Sequence, residues 1–167
     1  MKATQKNAHV RPALFIALVM IAMHIWIHVK GQALNSVVLL TGTLPLIVGI
    51  IYNVYQHAAT HPGNTFGNNF AYGFRITAVI TVIMVIFVAV FFKAFPQYKD
   101  LLLDALLKSA DRKTSGMDDE TIGKAVQDWD AHFTQRIVTI YIFLHLISGT
   151  VASLLAAAIA GRKTKTN

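Results

Sequence analysis

The side chains best placed for chemistry in this sequence are histidines set in apolar runs. His24 and His28 lie in MHIWIHV, residues 23–29, and His145 lies in IYIFLHLISG, residues 140–149. A spacing of four puts His24 and His28 on nearly the same face of a helix. At 1.5 Å per residue, His145 falls about 12 Å and His24 about 7 Å from the same end of their apolar runs, so the two can face one another. Two facing imidazoles are what a bis-histidine haem requires. A metal site needs a further ligand, usually a carboxylate, and neither run supplies one. His57 and His61 fall toward the opposite end, so no second matched pair exists. The expectation is therefore neutral, hydrogen-bonded histidines in a helical interior, with no cofactor and no metal; His24 and His145 are the candidates if a group is bound. His28 sits beside Trp26, where amphipathic side chains collect near a membrane surface.

The elements that carry these histidines follow from hydropathy. The chain has 167 residues, 54% of them hydrophobic and 14% charged, and its mean hydropathy is +0.51. Soluble domains carry about a quarter charged residues. Four apolar segments, at 12–29, 34–55, 72–92 and 137–160, approach or exceed the roughly 20 residues that span a bilayer. The third is rich in β-branched residues, but its length exceeds that of strands and a lipid-exposed span must satisfy its own backbone, so it reads as helix. The expected architecture is all-α: a four-transmembrane-helix bundle, one domain, with an extramembrane helical hairpin between spans 3 and 4.

The links support this order. Lys30–Ala33 is so short that the first two spans must be antiparallel. QHAATHPGNTFGNN, residues 56–69, reads as a loop. The third link, Lys93–Arg136, holds all eight acidic residues. Pro96 suits the first turn of a helix in which Tyr98, Leu102, Ala105, Leu106 and Ser109 recur at helical spacing. Gly116 interrupts. Asp118, Asp119 and Glu120 then fill a first turn, where the helix dipole favours anions, and their spacing is not that of a calcium loop. Ile122, Val126, Trp129 and Phe133 form one stripe that runs on into the fourth span. Lys2, Lys6 and Arg11 ahead of the first span also resemble the start of a secretory leader, with Gly31-Gln32-Ala33 as a loose cleavage site. The run is long for a leader and Lys30 adjoins that site, so retention as a span is expected.

Charge and polarity exclude several classes. The net charge is +7, but six of the fifteen Lys and Arg residues lie in the two tails, flanking apolar spans, and no nucleic-acid module is present. There is no cysteine, hence no disulfide and no thiol nucleophile. None of the four spans contains Asp or Glu, which argues against a proton-coupled exporter. Arg75, one turn inside the third span, can extend its head to the membrane surface. Pro45 and Gly49, with Thr41 and Asn53, mark a kink in the second span, and broken helices build transporter sites. In the fourth span Gly149, Ser153, Ala157 and Gly161 recur every four residues, beside Ser148, Ala152, Ala156 and Ala160. Such a small-residue face lets helices approach closely, in the bundle interior or in a dimer.

FGNNFAYGF at the third span, FFKAFPQY at its end, GMDDETIGKAVQDWD in the link and AAIAGRK at the close of the fourth span resemble the bacterial family known as domain of unknown function 4199. The resemblance covers Phe66–Lys163 and implies a small four-span protein of the bacterial inner membrane, with a polar link before the last span. It implies no activity and no catalytic residue, and His24 and His28 depart from its pattern. The functional expectation is a non-enzymatic membrane protein that acts through assembly with a second copy or a membrane-protein partner. Trp129, Asp118, Asp119 and Glu120 on the hairpin are the partner-contact candidates. The alternatives are a small-solute or ion transporter and a haem-bearing electron-transfer anchor. The unopposed basic tails favour both termini in the cytoplasm and the hairpin outside. A Ser115→Cys variant of this cysteine-free chain should accordingly react with a membrane-impermeant maleimide in intact spheroplasts; reaction only after lysis reverses the orientation.

Overall fold

The computed structural model describes residues 7–31, 36–113 and 119–163. Six helices follow one another: α1 (Val10–Val29), α2 (Ser36–Thr60), α3 (Phe66–Ala94), α4 (Pro96–Lys113), α5 (Asp119–Ala131) and α6 (Phe133–Lys163). No strand occurs among the described residues. The boundaries have local causes. Lys30 and Gly31 donate back to Trp26 and His28 at 3.0 Å, and Gly31 takes a positive φ of 65°, which glycine adopts without steric cost. Thr65 caps α3 by accepting the Asn68 N–H at 3.3 Å. Pro96 opens α4 one residue after α3 ends. The expected loop at 56–69 shrinks to residues 61–65, because α2 runs on to Thr60 and α3 starts at Phe66.

Among the described residues, three helices are long and apolar enough to cross a membrane: Val10–Val29, Phe66–Ala94 and Phe133–Gly161. Four spans were expected, and α2 is the one not among these. Side chains of α2 are described only from Thr43 onward, and that portion mixes Pro45, Asn53, Gln56 and His57 with its apolar residues, so it does not reach the same standard. Pro45, where a kink is expected, lies inside α2, which is continuous through it. Asn53 donates to the Gly49 carbonyl at 2.8 Å within the same helix.

The helices pack with α2 and α3 each touching both α1 and α6, and α2 also touching α3. The core between them holds Ala13, Ile16, Ala17 and Met20 of α1, Leu46, Ile50 and Val54 of α2, Ile76, Ile80 and Met84 of α3, and Ala152 and Ala156 of α6. The outward faces are also apolar: Phe15 and Leu18, Val82 and Ile86, Phe143 and Ile147 are all exposed. A water-soluble helix presents a polar outer face instead.

A second cluster lies at the end of the bundle, where Val88, Phe91 and Phe92 of α3 meet Leu103 of α4 and Phe133 of α6. The helical hairpin packs against this cluster and not only on itself. Among its described residues Leu103 and Ile122 are buried, with Leu102 and Trp129 half-buried. Lys99 of α4 pairs with Asp130 of α5 at 2.5 Å. The apolar stripe does not pass unbroken into the last helix, since α5 ends at Ala131 and a turn at His132 precedes α6. Gly116 and Asp118 lie outside the described residues.

Helices α3 and α6 meet through small residues. A Cβ built on Gly73 would sit 2.7 Å from Ser153 Oγ and 2.7 Å from Val54 Cγ2. One built on Gly149 would overlap the Thr77 side chain, whereas one on Gly161 meets nothing within 4 Å. Gly149→Ala should therefore lower the melting temperature in detergent, by a destabilisation of about 1–3 kcal/mol from overpacking. Gly161→Ala should leave it unchanged or raise it, because alanine is the better helix former by up to about 1 kcal/mol. Thermal unfolding of both variants checks the opposite signs.

Candidate functional site

Between the hairpin end of the bundle and its core lies a cavity of about 300 Å³, lined by all of α1, α2, α3, α4 and α6. Its polar lining consists of His24 and His28 from α1, Thr43 from α2, and Tyr141 and His145 from α6. Met20, Ile27, Met84, Phe92, Leu102, Ile137, Ile140 and Leu144 complete the wall. No lining residue is Asp, Glu, Lys or Arg. Nothing charged is present to hold an ion, so the site is chemically neutral.

Helical spacing brings the polar groups together. His24 and His28, four apart, stack with ring centroids 4.1 Å apart. Tyr141 and His145, also four apart, bring their rings to 5.4 Å. Phe87, Phe91 and Phe92 of α3 meet the His24 ring edge-on, and Tyr98 of α4 meets His28 in the same way. The Tyr141 hydroxyl lies 3.0 Å from His24 Nδ1 and bridges α1 and α6. His28 Nδ1 lies 2.9 Å from the His24 carbonyl.

These contacts assign protons. A carbonyl only accepts, so His28 Nδ1 carries hydrogen and donates. The phenol O–H, a stronger donor than a neutral imidazole, donates to His24 Nδ1, which places the His24 proton on Nε2. His24 is 7% exposed and His145 1% exposed, yet His24 Nε2 has no hydrogen-bond partner and His145 Nδ1 has none beyond a poorly aligned contact with the Tyr141 backbone. Buried polar atoms are seldom left so, and each costs about 1–3 kcal/mol.

His24 and His145, expected at similar depth, both line this cavity. Tyr141, which joins them, was missed; its i, i+4 relation to His145 was the available signal. Among the described residues no group of three or more His, Asp or Glu side chains could hold a metal ion. Gly149, Ser153 and Ala157 face inward, and Ser153 Oγ donates to the Gly149 carbonyl at 2.7 Å. On the hairpin, Trp129 carries the Arg136 guanidinium 4.8 Å from its ring centroid, and Arg136 also pairs with Asp128. Glu120 is exposed and pairs with Lys124 at 2.7 Å. Asp119 opens α5, with its side chain outside the description, and Asp118 lies outside the described residues. At the other end of the bundle, His57 stacks on Tyr72 at 3.9 Å, and Arg75 is exposed beside a smaller polar pocket with His9, Asn64 and Asn68.

An all-helical chain with several membrane-length apolar helices and a neutral cavity among them belongs with the helical membrane proteins in architecture. It belongs to the family described as protein of unknown function DUF4199, which it matches over residues 12–162. No curated protein and no solved structure matches it significantly.

The Tyr141–His24 bond makes a direct prediction. Tyr141→Phe should destabilise the detergent-solubilised protein by about 1–3 kcal/mol, since it leaves His24 Nδ1 buried without a donor. His24→Leu combined with Tyr141→Phe should cost less than the sum of the two single changes, because the same bond is lost in each. Additive losses in thermal unfolding would show that the bond carries no stability.

Proposed function

We propose that this is a four-span protein of the bacterial inner membrane that acts as a binding protein and not as an enzyme. It holds a small lipid-soluble molecule in the bundle cavity and presents the α4–α5 hairpin to a partner, either a second copy or another membrane protein. The observation that carries the reading is the cavity of about 300 Å³ lined by His24 and His145, each of which holds a buried ring nitrogen without a good hydrogen-bond partner. Ligand pockets of this kind are mostly apolar with a few convergent polar groups, and they occur between the helices of bundles.

The fourth span is α2. Its 25 residues extend about 37 Å at 1.5 Å per residue, enough for a hydrocarbon core of about 30 Å. It contains no Asp, Glu, Lys or Arg, and Leu44, Val48 and Tyr52 are exposed on its outer side like the apolar faces of its neighbours. With both tails in the cytoplasm, the hairpin and the nearby cavity lie toward the periplasmic face. The hairpin is the seat of recognition because it holds the acidic residues and the mixed-charge surface, and loops and links on a rigid scaffold carry binding residues. Arg75, near the opposite end, suits the cytoplasmic headgroup level.

Organic extraction of the purified protein tests the cavity. Wild type should release a near-stoichiometric small molecule that detergent micelles alone do not. Leu144→Trp, which fills the cavity from its rim, should release much less while keeping its helicity. Equal release from both would place the bound molecule elsewhere.

A further inference from the structure

The chemistry of the cavity narrows what it takes, on the reading above that it is a ligand site. Water alone suits it poorly. Each ordered water needs two to four polar partners, and a volume of about 300 Å³ has room for several waters against few polar atoms. An ionic ligand would lose its hydration with no opposite charge on the wall to replace it. A plain hydrocarbon would fill the space but leave His24 Nε2 and His145 Nδ1 unpaired. What fits is a neutral, mostly apolar molecule with a hydrogen-bonding oxygen. Phe92, Tyr141 and the stacked pair of His24 and His28 give the wall a strongly aromatic character, which favours a ring. His24 offers Nε2–H, so the oxygen must accept. A hydroxyl also donates, so it can serve the cavity's acceptors, which a carbonyl cannot. The way in is from the lipid side: Ile140 and Leu144 line the cavity and are also exposed on α6.

We propose that the cavity binds a lipid-soluble aromatic alcohol, of the phenol or quinol class, which it recognises through a hydroxyl held by His24, with His145 as the second polar contact. Binding alone is assigned, with no bond made or broken.

The test uses a matched pair of probes, 1-naphthol and naphthalene, titrated by naphthyl fluorescence into the full-length detergent-solubilised protein, with empty micelles subtracted. Wild type should bind 1-naphthol saturably and about tenfold more tightly than naphthalene, as expected for one to two buried hydrogen bonds. His24→Leu should abolish that preference while naphthalene affinity changes less than about twofold. His145→Leu is read in parallel and should weaken the preference, which keeps the test open if His24→Leu fails to fold. His132→Leu, an exposed residue of the hairpin, should retain it. Equal binding of both probes, lost in Leu144→Trp, overturns the hydroxyl recognition and leaves the ligand cavity standing. A preference that survives both histidine variants overturns the assignment to these residues. Saturable binding of neither probe overturns the recognition and the ligand-cavity reading together.

Discussion

The close contact of α3 with α6 is the constraint on which the rest of the structure depends. Toward one end of this seam the residues are small: Gly73 against Ser153, Gly149 against Thr77. Helix separation depends on the side chains at the contact, so the two backbones draw together there. The hydroxyls trapped in the seam are satisfied within their own helices, Thr77 by the Gly73 carbonyl at 3.1 Å and Thr81 by the Thr77 carbonyl at 2.9 Å. Toward the other end the same two helices meet through Phe92 and Phe133, whose ring centroids lie 5.1 Å apart. Large residues hold backbones apart. The cavity opens at this wide end, roofed by Leu102 of α4.

Charge is distributed by the same logic. The ion pairs among the described residues join α4, α5 and the start of α6: Lys99 with Asp130, Lys124 with Glu120, and Arg136 with Asp128. Side chains that need water or a counter-ion are gathered where α3 has ended and the polar link begins. The central parts of α1, α3 and α6 carry only uncharged polar groups, most of them bonded within their own helix. A bundle built this way exposes apolar surface on its outside and hydroxyls on its inside, the pattern that lipid permits.

Much of this could be read from residue order because the strongest signals are one-dimensional. Apolar runs of membrane length, Pro96 at a helix start and a four-residue repeat of small side chains are each visible without a partner, and the helices and the hairpin follow from them; that the small face turns into the bundle and not to a second copy does not. The loop after α2 shows where that reasoning fails: Asn68 and Asn69 read as loop residues, but one is tied to the Thr65 cap and the other is buried within α3. The site was legible only in part. Depth alone set His24 and His145 at one level, but the Tyr141 hydroxyl and the cavity depend on which faces of α1 and α6 turn toward each other, which is a property of the assembled bundle.

The cost of the cavity is the strongest reason to give it a role. An unpaired buried nitrogen destabilises a fold by about 1–3 kcal/mol, against a net stability of about 5–15 kcal/mol for a typical domain. Leucine or methionine in place of His24 and His145 would remove both unpaired groups and pack readily against Met20, Met84 and Phe92. The seam of α3 and α6 shows that this chain can pack small side chains to contact distance where closeness is needed. The wide end instead combines empty volume, unpaired polar atoms and an aromatic wall, and each of these lowers the stability of an unliganded fold. A bound molecule with an apolar body and one hydrogen-bonding oxygen offsets all three at once: it fills the volume, pairs the nitrogens and contacts the rings. A dry cavity offsets none of the three, and a chain of waters pairs the nitrogens without matching the aromatic wall, which is why the proposed occupant is an organic molecule.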